Sequence, residues 1–182
     1  LPFIPRRSGL PWSIWKHDFQ KNETQQIWKA QDGVGSVFRN ISAANQLFWM
    51  ADNHIIFPYE GEGWTQLYSI PADGGPAKWL TPGAFEVQFV SQDAQGQYLY
   101  YSSNQEDINR QHIWRVSSTS KPELMSGKTG IQWSPVTSKA GQLLCLASSE
   151  TTPAQLAQVE NGKVQILAPE TLPKDFPSKQ LV

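Results

Sequence analysis

A polar loop separates two short runs of apolar and aromatic residues, Gln97-Tyr98-Leu99-Tyr100-Tyr101-Ser102 and Gln111-His112-Ile113-Trp114-Arg115-Val116. Both runs have the composition of β-strands. The same pair recurs before and after this copy, as His54-Ile55-Ile56-Phe57-Pro58-Tyr59 with Thr65-Gln66-Leu67-Tyr68-Ser69-Ile70, and as Gln142-Leu143-Leu144-Cys145-Leu146-Ala147 with Ala154-Gln155-Leu156-Ala157-Gln158-Val159. Equivalent residues Tyr68, Trp114 and Gln158 are 46 and 44 residues apart. This regular spacing predicts an internal repeat.

Two further short strands complete each predicted repeat. Turn residues bound every strand, as in Asp73-Gly74-Gly75 and Asn161-Gly162. A period of four short strands is typical of a β-propeller blade, whereas a β-sandwich gives no four-strand periodicity. The predicted first strands are Val37–Ile41, Glu86–Val90 and Gly130–Ser134, and the predicted fourth strands are Gln25–Lys29, Ala77–Leu80, Pro122–Met125 and Lys163–Leu167.

The predicted fold is therefore all-β: a partial β-propeller with about three complete four-stranded antiparallel blades plus part of a preceding one. We expect residues 1–172 to form this domain, with the partial blade at 1–33, complete blades at 34–83, 84–129 and 130–172, and a linker at 173–182. An open run of blades exposes blade faces and strand edges. We therefore expect either self-association or a longer parent protein.

Composition excludes several classes of function. The chain has 15 basic and 16 acidic residues, a net charge of -1, so no basic excess favours nucleic acid. No stretch reaches the roughly 20 apolar residues of a membrane helix. The single cysteine, Cys145, lies in an apolar run and is predicted to be a buried hydrophobic residue. It cannot form a disulfide within the chain, and the cellular compartment stays open.

The segment Ser91–Ser103 resembles the S-x-D-G-x-x-L-x-Y-x-S repeat of TolB-type proteins and of the propeller domain of prolyl oligopeptidase-family serine peptidases. Here the usual D-G is stretched to Asp93-Ala94-Gln95-Gly96. Longer segments are similar to the dipeptidyl peptidase IV and acylaminoacyl peptidase branch: Pro11–Trp15, Asp32–Ser36, Gly63–Tyr68 and Tyr101–Asn104.

This resemblance implies that the Ser-Asp-His triad lies in a separate α/β-hydrolase domain of the same parent chain, and that the propeller screens short peptide substrates. The segment Leu172–Pro177 resembles the linker to such a domain. The residues agree with this division, because no serine occupies a G-x-S-x-G elbow and the closest segment, Gly33–Val37, has its glycines in the wrong places. We expect no catalytic residue and no cofactor in the chain.

The best candidate site is the loop Tyr59–Trp64, which carries two carboxylates, two glycines and flanking aromatic residues. Glu60, Glu62 and Trp64 are predicted to gate the substrate by contacting its amino group. The dipeptide-trimming branch uses propeller glutamates in this way, but its glutamate motif does not match here. An ordinary structural turn remains the alternative.

Other polar residues favour structural roles. His17, His54 and His112 are single and lack metal-ligand spacing, so no metal site is predicted. The loop Asn104–Arg110 lacks the D-x-D-x-D-G pattern of a calcium loop. The alternative function is a TolB-like protein-binding module without enzymatic activity. A G-x-S-x-G elbow downstream in the parent gene would favour the peptidase.

Overall fold

The computed structural model describes residues 11–181, and these form antiparallel β-strands with one short 3-10 helix, Pro169–Thr171. In the described part of the chain, no helix is long and apolar enough to cross a membrane. The strands are β1 Ser13–Asp18, β2 Glu23–Lys29, β3 Phe48–Trp49, β4 His54–Tyr59, β5 Gln66–Pro71, β6 Lys78–Trp79, β7 Val87–Gln92, β8 Leu99–Ser103, β9 His112–Val116, β10 Glu123–Leu124, β11 Ile131–Thr137, β12 Leu143–Ser149, β13 Thr152–Glu160 and β14 Lys163–Ile166.

In the described part of the chain, consecutive strands pair with each other and build four separate sheets. β1 and β2 form a two-stranded sheet, which we call blade 1. Blades 2, 3 and 4 are the four-stranded sheets β3–β6, β7–β10 and β11–β14, each with its strands in sequence order. The predicted all-β partial propeller, three complete blades after part of another, is confirmed.

The repeat positions seen in the sequence occupy equivalent places in the blades. Each lies on the third strand of its blade, between a residue of the second strand and one of the fourth. Tyr68 pairs with Phe57 and Trp79, Trp114 with Tyr101 and Leu124, and Gln158 with Leu144 and Gln165. Alternation along these strands sends neighbouring side chains to opposite sheet faces, and in blade 2 the neighbours Ile56 and Phe57 are both buried, one on each face.

Three hydrophobic clusters hold successive blades together. Ile14 and Ile27 of blade 1 pack with Phe57 of blade 2. Ile56 and Leu67, on the other face of blade 2, belong to a cluster that includes Leu99, Tyr101 and Trp114 of blade 3. The third cluster joins blade 3 to blade 4 through Tyr100, Ile113, Leu143, Cys145, Ala147, Ala157 and Val159. Stacking therefore buries the apolar face that a single blade would expose.

Cys145 lies within the third cluster, as predicted from its apolar run. Its side chain is buried, and this burial raises the pKa of the thiol to about 11. The thiolate is the nucleophilic form of cysteine. Cys145 therefore acts as a small hydrophobic residue at the interface between two blades.

The predicted first strand Val37–Ile41 is wrong. The first strand of blade 2 is Phe48–Trp49, and residues 37–41 belong to the long connection from β2. The Gln46 side chain accepts a hydrogen bond from the Ile41 N–H at 2.9 Å and donates one to the Ile41 carbonyl at 3.0 Å. Ile41 is thus bonded to a side chain rather than to a neighbouring strand.

The chain continues after β14 through the short helix to Leu181. The Thr171 hydroxyl donates to the Ala168 carbonyl at 2.7 Å, and the Phe176 N–H donates to the Pro173 carbonyl at 3.0 Å. These local bonds form turns. The role of residues 173–182 as a linker stays a prediction.

Candidate functional site

The loops that follow second and fourth strands share one edge of the blades. Strands two and four of an antiparallel blade run in the same direction, so their carboxyl ends lie together. β2 occupies the fourth-strand position of blade 1, and β4 is the second strand of blade 2. The long connection after β2 and the loop after β4 therefore meet at this edge. So do the segments around Glu86 and Thr65, where the Thr65 N–H donates to Glu86 Oε2 at 3.1 Å. We call this edge the Glu60 edge.

Glu60 is held by an ion pair across two of these loops. Its carboxylate Oε2 lies 2.7 Å from Nε of Arg39, which belongs to the connection after β2. The Glu60 side chain is 16% exposed and that of Arg39 is 59% exposed, so the carboxylate is largely covered while water still screens the guanidinium. The ion pair fixes one oxygen of the carboxylate toward the loop from the preceding blade.

Glycines allow the two loops to approach each other. A Cβ on Gly35 would lie 2.7 Å from the ring of Tyr59 and 2.9 Å from the main chain of Glu60, and the φ of Gly35 is +78°. Gly63, with φ of +86°, donates its N–H to the Glu60 carbonyl at 3.2 Å and closes the turn. Only glycine adopts such conformations at little cost, so both positions shape the surroundings of Glu60.

Aromatic side chains pack against Tyr59, the first residue of the same loop. The ring of Tyr59 lies 4.9 Å from that of Trp28 and 5.2 Å from that of Tyr68. Trp12 packs against Trp28 at 4.6 Å and donates its indole N–H to the Gly35 carbonyl at 3.0 Å. These contacts hold Tyr59, and with it the start of the candidate loop, in one position.

Glu62 and Trp64 are placed differently from Glu60. Both are exposed, Trp64 to 39%, and no hydrogen bond or ion pair fixes either side chain among the described residues. Glu62 still acts electrostatically on Tyr68 of β5 in the same blade. Burial raises the pKa of Tyr68 to about 12, and the negative charge of Glu62 contributes to the same shift. The structure therefore places one predicted carboxylate in an ion pair at low exposure and leaves the other exposed to solvent.

Replacing Glu62 by glutamine is expected to lower the pKa of Tyr68 from about 12 while leaving it above its ordinary value. The charge of Glu62 disfavours the tyrosinate, but burial contributes more and is unchanged by the substitution. Tyrosine absorbance followed against pH measures this shift, with Tyr68→Phe identifying the signal. A pKa that does not move would show that Glu62 points away from Tyr68.

The partner of Glu60 was missed in the sequence. Arg39 lies 21 positions earlier, inside a segment predicted to be a strand, and no motif links it to the glutamate loop. Two opposite charges this far apart in the sequence form no recognisable local pattern. Only the three-dimensional contact between the loops identifies Arg39 as part of the site.

The other candidate residues from the sequence lie among side chains that bind them by hydrogen bonds and ion pairs. His112 is buried and its Nδ1 lies 3.0 Å from Oε1 of Gln132, while Arg110 bridges Asp107 at 3.2 Å and Glu150 at 3.4 Å. The Asn109 N–H and Arg110 lower the pKa of the Asp107 carboxyl. Among residues 11–181, no group of three or more His, Cys, Asp or Glu side chains is arranged to hold a metal ion.

Comparison with known proteins places the chain in a family. Residues 15–154 match the profile described as the dipeptidyl peptidase IV (DPP IV) N-terminal region. This match covers well over half of the sequence. The chain belongs to the dipeptidyl peptidase IV N-terminal region family, which confirms the resemblance to the propeller domain of prolyl oligopeptidase-family peptidases.

Solved structures agree at the level of the fold. Dipeptidyl peptidase 4 from Porphyromonas gingivalis has a TM-score of 0.65 and 17% identity, over 88% of this chain and 23% of that chain. Puromycin hydrolase has a TM-score of 0.55 and 12% identity, over 80% of this chain and 22% of that chain. TolB from Acinetobacter baumannii has a TM-score of 0.53 and 14% identity, over 85% and 37%.

These similar structures are much longer than the matched region. The chain spans between about a fifth and two fifths of their lengths. No curated protein sequence matches the chain. The comparisons therefore define a propeller segment of the peptidase type, and the activity of a whole protein is a matter for proposal.

Proposed function

We propose that this chain is a non-catalytic propeller segment of a serine peptidase that gates and positions short peptides for a separate α/β-hydrolase domain. Membership of the dipeptidyl peptidase IV N-terminal region family carries this proposal. The names of two similar structures, a dipeptidyl peptidase and a hydrolase, support the same class. The family profile favours the peptidase over the TolB-like binding module, since TolB shares only the fold.

The Glu60 edge is the part of the chain that we propose to contact the peptide. A peptide amino group is a cation, and a positioned carboxylate of low exposure binds a cation better than a mobile surface carboxylate does. Glu60 meets this requirement through its low exposure and its ion pair with Arg39. Glu62 and Trp64 would add charge and an apolar surface at the rim of the same loop.

The direction of the chain is consistent with a hydrolase domain on this side. β14 is a fourth strand, so residues 169–181 follow it from the Glu60 edge. A linker that begins here would place the attached domain near the glutamate loop. Arg39 and Glu60 would then face the space between the two domains.

Substituting Glu60 by glutamine in the parent protein is expected to lower kcat/KM on peptides with a free amino terminus by about tenfold, chiefly through KM. Loss of one charge-assisted contact has this size. The same variant should leave kcat/KM on N-acetylated peptides unchanged within about twofold, because these lack the cationic group. Steady-state kinetics on matched free and acetylated peptides measure both values.

Glu160→Gln is the control, because Glu160 is an exposed glutamate at the end of β13, in blade 4. This variant should leave kcat/KM unchanged on both the free and the N-acetylated peptides. Equal losses on free and acetylated peptides would overturn the gating role of Glu60. The wider proposal fails separately if the chain alone hydrolyses short peptides, or if a parent with an intact triad hydrolyses none.

A further inference from the structure

One main-chain hydrogen bond recurs in all four blades and marks equivalent positions. In each blade, the residue that follows the fourth strand donates its N–H to the carbonyl of a residue in or next to the third strand. The four pairs are Ala30 with Trp12 at 2.9 Å, Leu80 with Leu67 at 2.9 Å, Met125 with Ile113 at 2.8 Å and Leu167 with Leu156 at 3.0 Å. The four residues that accept this bond therefore occupy the same place in blades 1 to 4.

In the first three blades, the accepting residue packs against the blade that follows. The ring of Trp12 lies 5.8 Å from that of Phe57 in blade 2. Leu67 belongs to the cluster that joins blade 2 to blade 3, and Ile113 belongs to the cluster that joins blade 3 to blade 4. Both are fully buried. This position is therefore part of each interface between consecutive blades.

Blade 4 has the same position without a blade to cover it. Leu156 is 48% exposed, and Leu167, which donates the equivalent bond, is 42% exposed. Ala157 lies in the cluster with blade 3, so the alternation of side chains along β13 sends its neighbour Leu156 to the opposite face of the sheet. That face carries the residues of an interblade interface but lies open to water.

A row of apolar side chains crosses this face from the first strand of blade 4 to the end of the fourth. Trp133 pairs with Leu146, Leu146 pairs with Leu156, and Leu156 is bonded to Leu167. Beside this row Leu144 pairs with Gln158, which in turn pairs with Gln165. We call this surface the open face of blade 4. These side chains carry no charge, so no ionised group opposes the burial of the row.

The free face of blade 1 is a poor match for this surface. Ile14 packs toward blade 2 and Lys16 reaches Asp73 of that blade, so Ser13, Trp15 and His17 lie on the opposite side of β1. Trp15 donates its indole N–H to Ser13 Oγ at 2.8 Å, and Nδ1 of His17 lies 2.8 Å from the Thr24 hydroxyl. This face is mostly polar. The open face of blade 4 is better complemented by another copy of itself.

We propose that the open face of blade 4 binds the open face of a second copy of this chain, which forms a two-fold symmetric dimer. Two β-sheets pack face to face about 10 Å apart, as consecutive blades do. A two-fold interface uses the same surface on both copies and is closed, so association stops at the dimer. The contact repeats the packing of Leu67 and Ile113 on the following blade. It does not rest on a peptidase role.

Sedimentation velocity of the chain over a range of concentrations tests the proposal. The expected result is a species of twice the 20.5 kDa chain mass. Its dissociation constant should be on the order of micromolar, the weak end of the range for an interface of standard size. Leu156→Glu should raise this constant at least about tenfold, because it would bury a carboxylate among apolar side chains.

Leu47→Glu is the matched control, because Leu47 is 45% exposed and lies before β3 in blade 2. It should change the dissociation constant by less than about twofold, and so should Trp15→Glu in blade 1. Far-UV circular dichroism should be the same for all three variants, which separates loss of the dimer from loss of the fold.

Three outcomes would overturn the proposal. A chain that stays monomeric at about 100-fold above a micromolar concentration would mean that a sheet of different sequence covers this face. Growth beyond the dimer that Trp15→Glu abolishes would mean that blade 1 of another copy covers it. Equal effects of Leu156→Glu and Leu47→Glu would mean that the association is not specific to blade 4.

Discussion

Phe57→Ala is expected to lower the free energy of unfolding by about 3–5 kcal/mol. Phe57 is fully buried between blades 1 and 2. Its ring lies 4.6 Å from that of Trp28 and 5.8 Å from that of Trp12, so truncation leaves a cavity lined by rigid aromatic rings. Rigid rings close over a cavity poorly, which places the cost toward the upper part of this range.

Denaturant unfolding measured by circular dichroism gives the change in free energy. Phe19→Ala is the matched control, because this phenylalanine is 90% exposed in the turn after β1, and it should change stability by less than about 0.5 kcal/mol. If the two variants lose similar stability, blade 1 is not packed on blade 2 in the manner described.

Gln66→Leu is expected to cost about 2–4 kcal/mol, although leucine has a similar size. Gln66 and Thr81 are fully buried. The amide nitrogen of Gln66 donates to the carbonyls of Gly83 at 3.1 Å and Phe85 at 2.5 Å, and the Thr81 hydroxyl donates to its amide oxygen at 2.5 Å. Leucine would leave these groups without partners in an interior that water does not reach.

This network fixes the connection between blades 2 and 3, because Thr81 Oγ1 also accepts from the Leu67 N–H at 2.9 Å. We therefore expect the Gln66→Leu variant to show faster hydrogen exchange at the Leu67 amide in addition to its lower free energy of unfolding. Gln165→Leu, at an exposed position of β14, is the control. A loss below about 1 kcal/mol for Gln66→Leu would mean that the amide contributes no more than an ordinary hydrogen bond.

The blades could be predicted from the sequence because their signal is local. Strand alternation and a turn every few residues identify β4 with β5, and β8 with β9, without knowledge of their surroundings. The spacing of Tyr68, Trp114 and Gln158 then fixes which strands are equivalent. A four-strand period leaves few folds that bury all of these faces.

The errors and omissions arise where a distant residue decides the local structure. Val37–Ile41 has the composition of a strand, but Gln46 takes over the main-chain bonds of Ile41. Glu60 was found from its loop, but Arg39 was not, because the ion pair joins two blades. The bulges at Phe89 and Ser134 depend on register, which a strand-like composition does not reveal.

Consecutive pairing of strands also has a consequence for how the molecule folds. Within residues 11–181, each sheet is formed from one continuous stretch of chain, and no strand crosses from one sheet to another. Most contacts that build a sheet are therefore close in sequence, which favours rapid formation of each unit. Nearest-neighbour coupling lets such units form in any order and then dock. A substitution in blade 4 should consequently leave amide protection at the junction of blades 1 and 2 almost intact.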